Sequence, residues 1–421
     1  MGIRIKSVHA REIFGRQLYP AVETTVVTDS GASGTAVVAS GASIGTHEST
    51  FVFDTDRFEG KGVITAVANV NDIIAPALID KEVTQQREID ETLLNLDGTA
   101  NKSRLGANAM GSVSAAVLRA AANALHVPLY RYIGGINATI LPVPGAKAVG
   151  DQGTRYGRTQ DVIHGKPSYE FVCYGFNSFS EAAFAGWETQ RCMLKQFQER
   201  KFPLIYTYGV HTPVLFDRFQ HDRELWEILS TAIEDAGYQG QIGLQVDVGA
   251  CTYYDSAKQC YHGLFSSQDK TQGDMIELYK DMVATFPFVI LEDPLDENDF
   301  EGHAILTKEL GIEIVGDDLF TTNPERLQQG IQVGAANTML LKVNQVGTIS
   351  EAFDAVQLAY QHGYGVMPCS SRGEGAVIAD YTVGLGAGHQ RGGANSNRLL
   401  KIEAELGDNA KFLGKQALKI Q

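Results

Sequence analysis

The chain has 421 residues, 44% of them hydrophobic and 20% charged, which is enough for one large domain and a smaller one with ordinary buried cores. Its 35 Lys and Arg against 50 Asp and Glu leave a formal charge of −15. That argues against nucleic acid and anionic membrane surfaces as partners, and an anionic substrate would need a local cation. The five Cys form no CxxC pair, so neither a disulfide framework nor a structural zinc site is expected.

In chain order, the opening MGIRIKSVHAREIFG has no apolar run of signal-peptide length, and no later stretch approaches a membrane span; a cytoplasmic protein is expected. Ile3 to Ile13 alternates apolar and polar residues, as a half-buried strand does. The β-branched runs Glu23 to Asp29 and Thr35 to Ala39, bounded by Gly and Ser, read as two more strands. Helical spacing follows over Gly62 to Leu78 and over the Ala-rich Asn108 to Leu125. Strands followed by helices predict a small α+β domain over residues 1–137. The Pro-flanked Leu141-Pro142-Val143-Pro144 marks its boundary. Lys147 to Pro167 then reads as an irregular polar segment, too long for an ordinary connection.

The remainder has a strong rhythm. Apolar runs at Gly243 to Asp247, Phe288 to Asp293, Ile312 to Asp318, Asn337 to Asn344 and Gly363 to Ser370 alternate with the helical stretches Met275 to Phe286, His303 to Leu310, Glu325 to Val333 and Ser350 to His362. Glu292, Asp317, Lys342 and Met367 follow one another at steps of 25 residues, one strand-helix unit each. This predicts an α/β fold whose residues 138–421 form a (βα)8-type barrel. An open doubly wound sheet fits less well, because no GxGxxG follows the first strand of any unit.

Three of these strands end in an acid: Asp247, Glu292 and Asp317. Strand C-termini of a barrel converge on one mouth, and three carboxylates there repel one another unless a cation lies between them. An all-oxygen set suits Mg²⁺. The alternative is that each acid caps the helix that follows it. Lys342 interrupts a buried apolar run, either as a base beside the metal or as an ion-pair partner of Asp317 or Asp318. The turn Ser370-Ser371-Arg372-Gly373-Glu374 reads as an anion seat or a surface loop. Together these residues imply that a substrate carboxylate sits on the metal, Lys342 removes the proton from the adjacent carbon, and a β-leaving group departs.

The sequence resembles the enolase family along almost its whole length. The matching segments include SGASIGTHE from Ser40, LDGTANKSRLGANA from Leu96, VPLYRYIGG from Val127, EDPLDENDFEG from Glu292, VGDDLFTTN from Val315, LLKVNQVGTISE from Leu340 and RLLKIEAELG from Arg398. The resemblance implies an enolase-like barrel with a capping domain, a homodimer or larger homo-oligomer, and interconversion of 2-phosphoglycerate and phosphoenolpyruvate in glycolysis. It implies Asp247, Glu292 and Asp317 as metal ligands, Lys342 as base, Ser43 on a mobile loop that contributes to a second Mg²⁺, and Glu170 as an acid near the reacting centre.

Several positions depart from the family pattern. Tyr208 stands where the family has a Glu that helps hydroxide leave. The loop that brings a His over the substrate is replaced by GDQGTRYGRTQDVIHGK, in which His164 or Arg155 is the candidate substitute. Ser371 and Arg372 only approximate the phosphate-binding turn, and Asn395 stands in place of a second active-site Lys. The metal and the base persist, while the residues that grip and discharge the phosphorylated substrate differ. A relative acting on another small anionic carboxylate, or a non-catalytic protein on the same scaffold, is the alternative expectation.

Overall fold

The computed structural model describes residues 2–15, 19–39, 45–150, 156, 166–207, 210–213, 215, 218–370 and 373–420. The N-terminal part is an antiparallel meander, Ile5–Phe14, Pro20–Thr28 and Ser33–Ala39. Helix Ala107–Ala124 packs on its second and third strands. That helix is almost entirely Ala, Gly, Ser and Val over its buried face, so its backbone lies close to the sheet: a Cβ on Gly34 would strike the backbone of Ala120 and Ala116. The expected helix over Gly62 to Leu78 forms as Ile64–Ala68 and Ala75–Leu78, joined by a π-helical stretch, Asn69–Ile74.

The rest is an eight-stranded barrel. The strands lie in the order Gly365–Pro368, Thr338–Leu341, Glu313–Gly316, Phe288–Glu292, Ile242–Asp247, Ser168–Cys173, Val143–Gly150 and His389–Gln390. A bridge between Cys369 and Arg391, with the Arg391 N–H donating to the Pro368 carbonyl at 3.2 Å, joins the two end strands. The four strands from Phe288 to Pro368 are parallel, as their rhythm predicts. Ser168–Cys173 departs from this pattern, running antiparallel to both neighbours. Lys147 to Gly150 also differs from expectation: it continues a strand instead of opening an irregular loop.

The pleat fills the barrel in layers. Val143, Val172, Ile290, Val315, Leu340, Met367 and Cys369 form one buried cluster inside it. Alternate residues such as Leu291, Ile314 and Leu341 belong to the larger core outside. Successive side chains on a strand point to opposite faces, so the residue two positions beyond an interior apolar one also points inward. From Ile290, Val315 and Leu340 this step reaches Glu292, Asp317 and Lys342. On the antiparallel strand the order is reversed, and Glu170 precedes the interior Val172. No helix among the described residues is long and apolar enough to cross a membrane.

Candidate functional site

The strand-end acids do not cap the helices that follow them. Helix Gln272–Thr285 is capped by Thr271, Phe300–Leu310 by Asp299, Pro324–Val333 by Asn323 and Ile349–Gln361 by Thr348. Asp247, Glu292 and Asp317 are instead turned into the barrel, with relative exposures of 0%, 0% and 1%. Glu292 lies directly beside Asp247 in the parallel register. One carboxylate oxygen from each of Glu292, Asp293 and Asp317 falls within a 4.8 Å group. Asp293, which sequence reasoning did not single out, belongs to this group, whereas Asp247 stands next to it.

Asp293 is fixed by what it accepts. The backbone N–H groups of Asp317 and Asp318 donate to its two oxygens at 3.0 and 2.8 Å. It is held in a left-handed conformation, φ 42°, which Asp tolerates better than most residues. The turn carrying Asp317 is thereby tied to the strand carrying Glu292.

Lys342 Nζ pairs with Asp317 Oδ2. The alternative reading of Lys342 as an ion-pair partner of Asp317 therefore holds, and the pair lies inside the acid cluster. Gln345 Nε2 donates to Asp317 Oδ1 at 3.0 Å and to Glu48 Oε1 at 3.3 Å, and its Oε1 accepts from Thr322. Through Glu48 the N-terminal part reaches the mouth. Its next contacts are Thr46 Oγ1 to Glu297 at 2.6 Å and the Ser49 N–H to the Gln345 carbonyl at 2.9 Å.

Two cations that the sequence did not reveal complete the site. Arg391 pairs with Asp247, donates to Glu292 Oε1 at 2.6 Å, and lies 3.8 Å from Glu170 Oε1. Lys166 pairs with Asp247 from the other segment. Its carbonyl accepts from the Tyr253 hydroxyl at 2.7 Å. Glu170 also accepts the Gly392 N–H at 2.9 Å. Gln245 Nε2 donates to Glu292 Oε2 at 3.1 Å.

Arg391 was hidden because it sits in the Gly-rich HQRGGANSN, where an Arg reads as surface. The seam with Pro368 and Cys369 turns it inward. Asn395, four residues later, is exposed on a short 3-10 turn. Ser43, His164, Arg155, Tyr208, Ser371 and Arg372 lie outside the described residues.

The charge balance decides what the site can hold. Among the described residues, six carboxylates (Glu170, Asp247, Glu292, Asp293, Asp317, Asp318) face three cations (Lys166, Lys342, Arg391). Burial opposes ionisation of Asp247, but Arg391 and Lys166 outweigh it and hold that carboxyl below its ordinary range. Glu292 is pushed well above the ordinary range by burial, which Arg391 offsets only in part, and by Asp247. Burial and then Asp318 and Asp317 raise Asp293 in the same way. Asp318 is raised to about 6, first by burial and then by Asp317. The acids are under-compensated, and all the donors of the cluster are oxygens. A hard divalent cation fits such a set.

Comparison with known proteins agrees with this geometry. The enolase N-terminal domain family matches residues 5–133, and the enolase C-terminal TIM barrel domain family matches residues 138–421. A Methanopyrus kandleri protein named Enolase is 44% identical over 427 residues, with 97% of each chain covered. A Pyrococcus furiosus protein of the same name is 43% identical over 437 residues, covering 99% of this chain and 98% of its own. One from Methanocaldococcus jannaschii is 40% identical over 420 residues, with 96% of each covered.

Proposed function

Because the chain belongs to the enolase family, we propose that it is a Mg²⁺-dependent lyase interconverting 2-phosphoglycerate and phosphoenolpyruvate in glycolysis. The observation that carries this reading is the Lys342 ammonium seated on Asp317 within a buried, under-compensated carboxylate cluster. Asp247, Glu292 and Asp317 would hold the Mg²⁺, with Ser43 serving a second ion. When bound, the ion neutralises the substrate carboxylate and stabilises the negative charge that develops on it.

The residues of the chain then divide the work. Beside a bound divalent cation the ammonium form of Lys342 would be disfavoured, so it would give its own proton to solvent, and as the neutral amine it takes the proton from the carbon beside the carboxylate. The electron pair left behind forms the carbon–carbon double bond as the C–O bond at the next carbon breaks. The departing hydroxide takes a proton and leaves as water, with Glu170 as the acid in reach of the mouth and Tyr208 in the place of the family's second acid. Lys166 and Arg391 bring positive charge to an anionic substrate, and His164, Ser371, Arg372 and Asn395 complete its grip. Hydration of phosphoenolpyruvate runs the same steps in reverse. The same reading carries a cytoplasmic location and a homodimer or larger homo-oligomer, which light scattering of the purified protein would check.

One observation favours a second reading. Where the family pattern has a Lys, Asn395 is exposed, and the guanidinium that enters the mouth comes from Arg391. A different anionic carboxylate substrate would explain that change. Purified protein assayed with 2-phosphoglycerate separates the two. The first reading expects turnover that needs Mg²⁺, is abolished by EDTA, and falls by about 10²–10⁴-fold in Lys342→Ala. No turnover, with Lys342-dependent deuterium exchange into another carboxylate, would establish the second. Activity unchanged in Lys342→Ala would sink both.

A further inference from the structure

We propose that Asp255, Cys260 and His262, oriented by Asp269, form a binding site for a borderline divalent cation of the Zn²⁺ class, separate from the barrel mouth. The site lies on a small hairpin that follows the Asp247 strand. Tyr254–Asp255 pairs antiparallel with Cys260–Tyr261, and Asp255 stands opposite Cys260. Tyr261 in turn bridges Lys270 antiparallel, which sets His262 opposite Asp269. Residues two apart on a strand share a face, so Cys260 and His262 project together, and Asp255 projects beside Cys260.

Two edges, both to His262 Nε2, have the length a ligand shell needs. His262 Nε2 is 3.5 Å from Cys260 Sγ and 3.4 Å from Asp255 Oδ2. Tetrahedral zinc, with bonds of about 2.3 Å to sulfur and about 2.0 Å to nitrogen and oxygen, sets such edges at about 3.3–3.6 Å. The other ring nitrogen, Nδ1, is 2.5 Å from Asp269 Oδ1. A carboxylate on the second nitrogen of a metal-binding imidazole fixes its tautomer and orientation. One ligand atom each from Cys260, His262 and Asp269 lies within 4.8 Å of the others; Asp255 is not of that group and reaches it through His262 Nε2.

Cys260 is nearly buried, whereas the side chains of His262 and Asp269 are 31% and 57% exposed. The cluster is therefore anchored on one side and open on the other, leaving a position for water and a route of entry. Lys258 Nζ, 3.6 Å from Asp255 Oδ2 and largely exposed, is the competing cation. Thiolate and imidazole select a softer ion than the all-oxygen mouth does. Binding converts the Cys260 thiol to thiolate and releases its proton to solvent. The absence of a CxxC pair had argued against zinc; here the strand register, not local spacing, assembles the ligands. The hairpin also braces the mouth. The His262 N–H donates to the Tyr253 carbonyl at 2.9 Å, and the Tyr253 hydroxyl holds the Lys166 carbonyl.

Cobalt(II) serves as the probe, titrated into metal-stripped full-length protein with excess Mg²⁺ present. The expected result is one equivalent of tetrahedral cobalt with a thiolate-to-metal charge-transfer band, displaced by Zn²⁺. Cys260→Ser and His262→Ala should each abolish the band, and Asp255→Asn should weaken binding by about 10-fold or more. Circular dichroism checks that each variant is folded, and an unfolded Cys260→Ser leaves His262→Ala to give the answer. No charge-transfer band, or one that survives in folded His262→Ala and so belongs to Cys192 or Cys251, overturns the proposal.

Discussion

Arg391 Nη1 donates to Glu292 Oε1 at 2.6 Å, and the same guanidinium pairs with Asp247 through its other terminal nitrogen. One side chain therefore clamps the two acids that end adjacent strands, from a segment 99 residues beyond Glu292 and farther still beyond Asp247. Without a metal it is an internal counter-ion of the cluster.

That clamp predicts a metal-dependent stability defect. Removing one partner of a buried ion pair costs about 3–5 kcal/mol, because the other charge is left uncompensated. Arg391→Gln should melt well below the parent in EDTA, and Mg²⁺ should raise its melting temperature more than it raises that of the parent. Thermal melts of both proteins in EDTA and in Mg²⁺ provide the check; equal melting temperatures in EDTA would remove the counter-ion role.

Asp293 should govern metal affinity through Asp317. Asp293→Asn replaces one acceptor oxygen with a donor that faces a backbone N–H of Asp317 or Asp318. Loss of such a supporting contact typically weakens metal binding by about 10–100-fold. Calorimetric titration with Mg²⁺ measures it, and an unchanged dissociation constant would count against the arrangement.

Gly145 makes room for Glu170. A Cβ at this position would strike Glu170 Oε2 and approach the Gly392 N–H at 3.1 Å. Gly145→Ala should displace the carboxylate by a fraction of its length, and misplacements of that order reduce rates by about 10²-fold. The turnover number should fall while far-ultraviolet dichroism is unchanged. Full activity would show that Glu170 is not needed where it stands.

His303 sets a term in the acid stability. It is fully buried, with Nδ1–H donating to the Asp299 carbonyl at 2.7 Å. Burial holds its imidazole below the ordinary 6.5. The unfolded chain therefore binds this proton at a higher pH than the folded one. Stability is fully present above about 6.5 and declines as pH falls from there toward the depressed folded value. Urea midpoints at about pH 8 and pH 5.5 should differ less in His303→Gln than in the parent. An equal difference in the two proteins would assign the acid sensitivity elsewhere.

The legible part of the site was the part written along parallel strands. Glu292, Asp317 and Lys342 each stand two residues past an interior apolar one, and the strand-helix unit repeats every 25 residues. Asp293 was missed because it falls on the other side of the pleat, and only its turn redirects it toward Asp317. The Cys260 and His262 pair was missed because its partners, Asp255 and Asp269, come from neighbouring strand segments.

By itself the sequence determined the barrel, its two-part organisation and four strands that deliver charge to one mouth. Those follow from periodicity, which is local and survives in one dimension. Only the tertiary structure decided that Arg391 and Lys166 enter the same mouth, and that Glu170 does so from a strand running the other way. Arg391 and Lys166 sit in segments with no period to read, and nothing in Ser168–Cys173 shows along the sequence which way that strand runs. Their direction is set by the closing seam at Cys369 and by the inverted strand, both of which depend on contacts between residues far apart in the chain.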